Sequence, residues 1–143
     1  MAATNSERAL VEQWHGVRAL HARTTCELDR ELHPYGLGAS DFEVLDALAD
    51  AAAEGAGSSY RVQELASRVH LSQSALSRLV ARLEKEGLVT RGMCSQDRRG
   101  VEVALTDLGR ARHAEVLPLQ RAVLGRALAA GQPGASEGPA CRA

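Results

Sequence analysis

The sequence predicts a mainly α-helical domain that carries a small β-sheet of two or three strands. Apolar residues recur every three or four positions through most of the chain, whereas one stretch, 88–106, alternates apolar and polar residues. Hydrophobic residues make up 45% of the 143 positions but aromatic residues only 3%, so aliphatic side chains must fill one modest core. We expect a single domain over residues 6–130.

The first helix is predicted over residues 6–32, with Leu10, Trp14 and Val17 among its regularly spaced apolar positions. It ends at the stretch HPYGLG, because a proline and two glycines stop a helix. A second helix is predicted to begin at SDFE, where Ser40 would be the N-cap and Glu43 would reach back in a capping box.

A short helix, a tight turn and a longer amphipathic helix are predicted over residues 62–86. Ser72 caps the longer helix, and Gly87 stands where a left-handed C-terminal residue is needed. The apolar residues of the longer helix form one stripe: Leu76, Leu79, Val80 and Leu83. This order of elements is a helix–turn–helix.

A β-hairpin is predicted directly after it, over residues 88–106, with the stretch SQDRRG at its tip. Thr106 can cap a last helix over 107–130, which Pro118 should kink or locally break. Residues 131–143 have the composition of a disordered tail. The predicted fold class is therefore a winged helix–turn–helix with flanking helices.

The net charge of −1 conceals an uneven distribution. Residues 61–99 contain eight basic and four acidic side chains, whereas the remainder carries a net charge of −5. A basic middle inside an acidic frame predicts one surface that faces an anion.

Polar side chains on the longer helix predict contacts with double-stranded DNA, whose major groove admits one α-helix. Gln73 can pair with adenine, and the arginines can reach guanine or phosphate. The candidate set is Ser72, Gln73, Ser74, Ser77, Arg78 and Arg82. The alternative interpretation is an ordinary solvated helix face.

The hairpin tip carries Arg98 and Arg99, which can follow the DNA backbone or enter a narrow minor groove. Asp97 would hold one of these arginines in a fixed pose, and Gly100 allows a tight turn. The alternative is a turn that only increases solubility.

The stretches LSQSALSRLVARLEKEGLVTR and DRRGVEVALTDLG resemble the MarR (multiple antibiotic resistance regulator) family of winged helix–turn–helix proteins. The most specific motif is Asp-x-Arg-Gly followed by Leu-Thr-x-x-Gly, met by Asp97, Arg99, Gly100, Leu105, Thr106 and Gly109. The stretch GLGASDFEVLDAL also fits, and the resemblance covers about residues 10–128.

The resemblance implies a homodimer formed by helices 6–32 and 107–130, a palindromic operator, usually repression, and often release by a small aromatic or anionic effector. It implies that Arg99 enters the minor groove and that residues matching Gln73, Ser74, Ser77 and Arg78 line the major groove. It also puts Trp14 and Arg18 at the effector cleft, although Trp14 can instead pack the dimer interface.

Two departures from the family pattern stand out. Members usually carry another helix after the position of Ala130, and His70 stands where the turn often has glycine. A left-handed conformation at His70 would cost about 1 kcal/mol.

Other functions find less support in the sequence. Three distant cysteines argue against a disulfide framework, yet Cys26 keeps a thiol-based redox sensor as an alternative. His15 and His21 are six residues apart, so no metal or cofactor is predicted. We do not expect an enzyme, because the sequence contains no catalytic motif. We expect a cytoplasmic protein, because the sequence contains no apolar run of membrane-spanning length and no signal peptide. A protein–protein adaptor remains the other alternative.

Overall fold

A computed structural model describes residues 4–54, 59–93 and 100–130 of the chain. Their helices and strands, in order, are α1 (Asn5–Leu32), α2 (Ala39–Ala53), β1 (Ser59–Arg61), α3 (Val62–Val69), α4 (Gln73–Lys85), β2 (Val89–Met93), β3 (Val101–Leu105) and α5 (Asp107–Ala130). A 3-10 turn, His33–Tyr35, joins α1 to α2. The predicted fold class, mainly helical with a small antiparallel sheet, is confirmed.

The sheet has three strands in the order β1-β3-β2, and both pairings are antiparallel. Strand β1, which pairs Tyr60 with Val103, was not expected as a strand at that position. Three residues are too few to produce a recognisable alternation, so only pairing with β3 defines it. The sheet brings the residues just before α3 to the base of the wing.

The core lies between α2 and the helices packed around it. Phe42, Leu45 and Leu48 of α2 are fully buried, as are Leu76 and Leu83 of α4. The helical spacing of these residues produced the sequence prediction, and their burial confirms it.

The predicted N-cap of the second helix is wrong. The helix begins at Ala39 rather than after Ser40, because two carboxylates satisfy its first amides. The Gly38 amide donates to Asp41 Oδ2 at 2.7 Å, and the Ala39 amide donates to Asp29 Oδ1 at 2.7 Å. The predicted caps at Ser72 and Thr106 are confirmed.

Two residues adopt the left-handed conformation that the sequence called for. Gly87 has φ +79°, and His70 closes α3 with φ +57° although it is not a glycine. Pro118 lies inside α5, which runs without interruption from Asp107 to Ala130, so the predicted local break does not occur. Among the described residues, no helix has the length and apolar character needed to cross a bilayer.

The start of α5 packs closely against the start of the wing. Gly109 lies so near the main chain that an added Cβ would overlap the carbonyl oxygen of Leu88. The Thr106 amide donates to that same oxygen at 3.1 Å, and the Thr106 hydroxyl donates to the Gly87 carbonyl at 2.6 Å. Only glycine fits this point of contact.

We expect Gly109→Ala to lower the free energy of unfolding by about 1–3 kcal/mol, since the main chain must move to admit a methyl group. Gly125→Ala is the matched control, because Gly125 lies in the same helix with open space around it. That change should raise stability by roughly 0.5–1 kcal/mol. Chemical denaturation would measure both, and equal stability of the two variants would contradict the assigned contact.

Candidate nucleic-acid interface

The N-terminal half of α4 presents its polar side chains to solvent. Gln73, Ser74, Ser77 and Arg78 are exposed, while Leu76 and Val80 on the other side of the helix are buried. The Ser72 hydroxyl accepts from the Ala75 amide at 3.2 Å and lies 3.3 Å from the Ser74 hydroxyl. Ser72 therefore fixes the start of the helix and holds a second hydroxyl beside its free amides.

An open cleft of 380 Å³ joins this helix to the base of the wing. Gln73 and Ser77 line it from α4, whereas Gly100 and Val101 line it from the wing. Its other lining residues are Arg61, Val62, Gln63, Val80 and Arg91. The start of α4 and the chain that immediately follows the wing tip thus share one side of the molecule.

Arg82 faces a different neighbour from the rest of the predicted set. Its guanidinium forms an ion pair and hydrogen bond with the carboxylate of Asp41, which is 2% exposed. The hydrogen bond to Asp41 raises the pKa of Arg82. No local sequence pattern indicates this pair, because its members are separated by 41 residues.

A second ion pair holds the wing against α4. The Glu84 carboxylate accepts hydrogen bonds from the Arg91 backbone amide at 3.1 Å, from Nη2 at 2.9 Å and from Nε at 3.3 Å. These contacts lower the pKa of Glu84 and raise that of Arg91. Because β2 begins directly after α4, the pair fixes the direction in which the wing leaves the helix.

The cations of this surface are thus of two kinds. Arg82 and Arg91 are paired with carboxylates, and the Arg68 guanidinium lies 5.0 Å from the centre of the Tyr60 ring. Within the described ranges, Arg78 and Lys85 form no ion pair. Their charges remain available to an anion. The predicted wing arginines, Arg98 and Arg99, lie outside the described residues, as does Asp97.

The N-terminal half of α1 carries an exposed apolar stripe formed by Leu10, Val11, Trp14 and Val17, each 50–63% exposed. Along the helix, the stripe continues the face that buries Thr24, Leu28 and Leu32. Arg18 is also exposed. Trp14 and Arg18 therefore lie on a surface that the single chain does not cover.

Two further sequence predictions concern cysteine and metal binding. Cys26 is disulfide-bonded, and Cys94 and Cys141 lie outside the described residues. His15 and His21 are both exposed on α1. In the part of the chain that the structure describes, no three His, Cys, Asp or Glu side chains are grouped to hold a metal ion.

These features together define a winged helix–turn–helix protein with a polar helix start and a wing on one side. The family model described as the MarR family matches residues 35–100. A repressor of Bacillus subtilis, the HTH-type transcriptional repressor MdtR, is 36% identical over 70 residues, which are 49% of this chain and 45% of MdtR. The match thus spans less than half of that relative's length.

Solved structures extend the similarity to almost the whole chain. AbsC, a MarR family transcriptional regulator from Streptomyces coelicolor, is 29% identical and covers 94% of this chain and 86% of its own, with a TM-score of 0.77. Sco3205, a MarR family regulator from the same organism solved in complex with DNA, is 27% identical over 94% of this chain and 80% of its own, with a TM-score of 0.76. Over residues 35–100 the chain is thus similar to the MarR family, and its fold is similar to that of MarR family regulators of known structure.

We expect Arg91→Ala to raise the pKa of Glu84 toward its usual 4.5, because the charged hydrogen bonds that lower it are removed. Because the pKa of Glu84 is lowered in the folded state, the ion pair stabilises the wing fully above the usual pKa of 4.5. This stabilisation is lost as the pH falls through the lowered pKa. An NMR titration of the Glu84 carboxyl carbon measures the change.

Arg110→Ala is the control, because Arg110 pairs with Asp107 on α5 and not with Glu84. A Glu84 titration that Arg91→Ala leaves unaltered would rule out this anchoring of the wing.

Proposed function

We propose that this protein is a transcriptional regulator that binds double-stranded DNA sequence-specifically as a homodimer. The cleft supports this most directly, since Gln73 and Ser77 of α4 line it together with Gly100, the residue that follows Arg99. A helix and a wing on one side can engage neighbouring grooves of a duplex. The Sco3205 complex shows that a relative of this fold binds DNA. The proposal carries with it the cytoplasmic location that the sequence predicts.

In the proposed complex, α4 enters the major groove by its N-terminal half. Gln73 and Arg78 read base edges, because their amide and guanidinium groups can form paired hydrogen bonds with adenine and guanine. Ser74 and Ser77 allow close approach, and the α4 N-terminus capped by Ser72 favours a phosphate. The exposure of these side chains supports the assignment.

Arg98 and Arg99 of the hairpin tip are proposed to contact the backbone and the adjacent minor groove. Strands β2 and β3 pair from Val89–Leu105 to Met93–Val101, so the hairpin projects away from the core toward its tip. The Glu84–Arg91 pair sets its direction relative to α4. A guanidinium at this tip would meet the enhanced negative potential of a narrow groove.

The apolar stripe on α1 is proposed to pack against a second copy of the chain. Residues 5–19 are all exposed, and an isolated helical segment of only about 15 residues is marginally stable without tertiary contacts. Leu128, near the end of α5, is another exposed apolar residue, 51% accessible. Two copies would place their recognition helices about 34–36 Å apart on a palindromic operator.

We further propose that the protein represses transcription and responds to a small effector. The relative MdtR is named a transcriptional repressor, which supports the same role here. Trp14 and Arg18 would offer an aromatic ring and a cation to a small aromatic or anionic effector if the dimer leaves them accessible. Packing of Trp14 within the dimer interface is the alternative.

We expect Gln73→Ala and Arg78→Ala to relax base preference at the positions they read, by about 1–3 kcal/mol for each lost paired contact. Selection of bound sequences from a random duplex pool, with parent and variants in parallel, measures this. Arg30→Ala removes an arginine of α1, outside the interface, and should leave the selected sequence unchanged. Identical selections by all four proteins would refute base reading by α4.

Val17→Glu should convert the dimer to a monomer at micromolar concentration, because a carboxylate would be buried in the apolar contact. Ala19→Glu, an exposed position on the opposite side of α1, introduces the same charge and should leave a dimer. Size-exclusion chromatography with light scattering distinguishes them. A parent protein that is already monomeric would contradict the dimer and favour the adaptor.

A further inference from the structure

A chain of polar contacts connects α1 to the recognition helix through the first turn of α2. Asp29 near the end of α1 accepts from the Ala39 amide at 2.7 Å. Two residues further along α2, Asp41 accepts from the Gly38 amide with one oxygen and from Arg82 with the other. Both oxygens of a nearly inaccessible carboxylate are therefore occupied, one by the chain entering α2 and one by α4.

Arg82 lies on the side of α4 opposite Gln73, one of the two side chains proposed to read bases, although it is one turn from the other, Arg78. It follows Gln73 by nine residues, which at 3.6 residues per turn places it about 180° around the helix. It lines an open cleft with Asp29, His33 and Asp41, whereas Gln73 and Ser77 line the cleft shared with the wing. The cleft that Arg82 lines thus relates it to α1 and α2, on the side of α4 away from Gln73.

The energetics of the pair point the same way. A guanidinium that left Asp41 to bind a phosphate would leave a buried carboxylate without its cation, which is strongly unfavourable. The Arg82 side chain is 48% exposed, so it could remain solvated without Asp41. The Asp41 side chain is only 3% exposed, so water has little access to its carboxylate. A phosphate contact that required Arg82 to leave Asp41 would thus be offset by the unpaired carboxylate that it creates.

We infer that Arg82 is a positioning residue for DNA binding: held by the buried Asp41, it sets the rotation of α4 relative to α1 and α2 and does not itself contact DNA. This inference rests on the proposed function. Through Asp29, Asp41 and Arg82, hydrogen bonds then connect α1, the proposed dimerisation helix, to α4, the proposed recognition helix. Because two recognition helices must fit one duplex, a small rotation of α4 in each subunit misplaces both sets of reading side chains.

Asp41→Asn separates the two roles by the sign of its effect. The substitution keeps an oxygen for the Gly38 amide and removes the charge that holds Arg82. If Arg82 positions α4, affinity for the duplex selected by the parent protein should fall about tenfold or more. If Arg82 contacts phosphate, its release from Asp41 should leave affinity unchanged or increase it.

Salt dependence gives an independent measurement. Loss of one phosphate contact makes the slope of log K against log salt shallower by about 0.9, and a substitution in both subunits of the proposed dimer therefore by about 1.8. We expect Arg82→Met to weaken binding with the slope unchanged, and Arg98→Met, which removes a proposed backbone contact, to make the slope shallower. The double variant Asp41→Asn/Arg82→Met should bind about as weakly as either single variant, because both remove the same constraint. Arg82→Lys should recover part of the affinity.

Thermal unfolding of each variant shows that the compared proteins are folded. If Asp41→Asn does not fold, the slopes for Arg82→Met and Arg82→Lys decide the matter. A shallower slope for Arg82→Met, or full affinity in that variant, would overturn the positioning role while leaving DNA binding intact. Failure of the parent protein to select any duplex would instead overturn the proposed function, on which the inference depends.

Discussion

The main chain around Leu88 is the constraint on which the geometry of the whole interface depends. The Leu88 amide closes α4 by donating to the Leu83 carbonyl at 2.9 Å, and its own carbonyl accepts from Thr106, where the wing returns to the body. Gly109 allows α5 to begin against the same carbonyl. The end of the recognition helix, both ends of the hairpin and the start of α5 are thus fixed at one point. Backbone contacts of this kind leave little freedom for the base of the hairpin, around Leu88 and Thr106, to move relative to α4.

Carboxylates complete what the backbone begins, and each joins a different pair of elements. Asp29 joins α1 to α2, and Asp41 joins α2 to α4. Asp46 joins α2 to α5 through His113 at 2.7 Å and Arg121 at 3.2 Å, beside the stacked rings of Phe42 and His113. The contacts of α2 with α1, α4 and α5 therefore each include a carboxylate that belongs to α2 or to α1. Directional contacts specify orientation where aliphatic packing alone would tolerate rotation, which is the property a base-reading helix needs.

The parts of this structure that could be predicted from sequence are those encoded by neighbours along the chain. The stripe from Leu76 to Leu83, the cap at Ser72 and the left-handed Gly87 all follow from local spacing, and the structure has them. The parts that could not be predicted depend on distant residues. Ser40 is a residue type that favours the N-cap position, but the helix begins earlier because Asp41 and Asp29 accept from the Gly38 and Ala39 amides. Arg82 is a residue type that favours DNA contact, but it pairs with Asp41 of α2. No periodicity of the sequence indicates a pair separated by 41 residues.

The pairing of cations also changes how the basic segment should be understood. Residues 61–99 have a net charge of +4, yet Arg82 and Arg91 are bound to carboxylates within the fold. Within the described residues, the charge that remains unpaired on α4 is contributed by Arg78, near the middle of the helix, and by Lys85, its last residue. With few unpaired cations, the described part of α4 gains less from general attraction to a polyanion, so discrimination by this helix must come mainly from oriented side chains such as Gln73. The ion pairs that orient α4 and the wing would then contribute to specificity without touching a base, by holding the few groups that do.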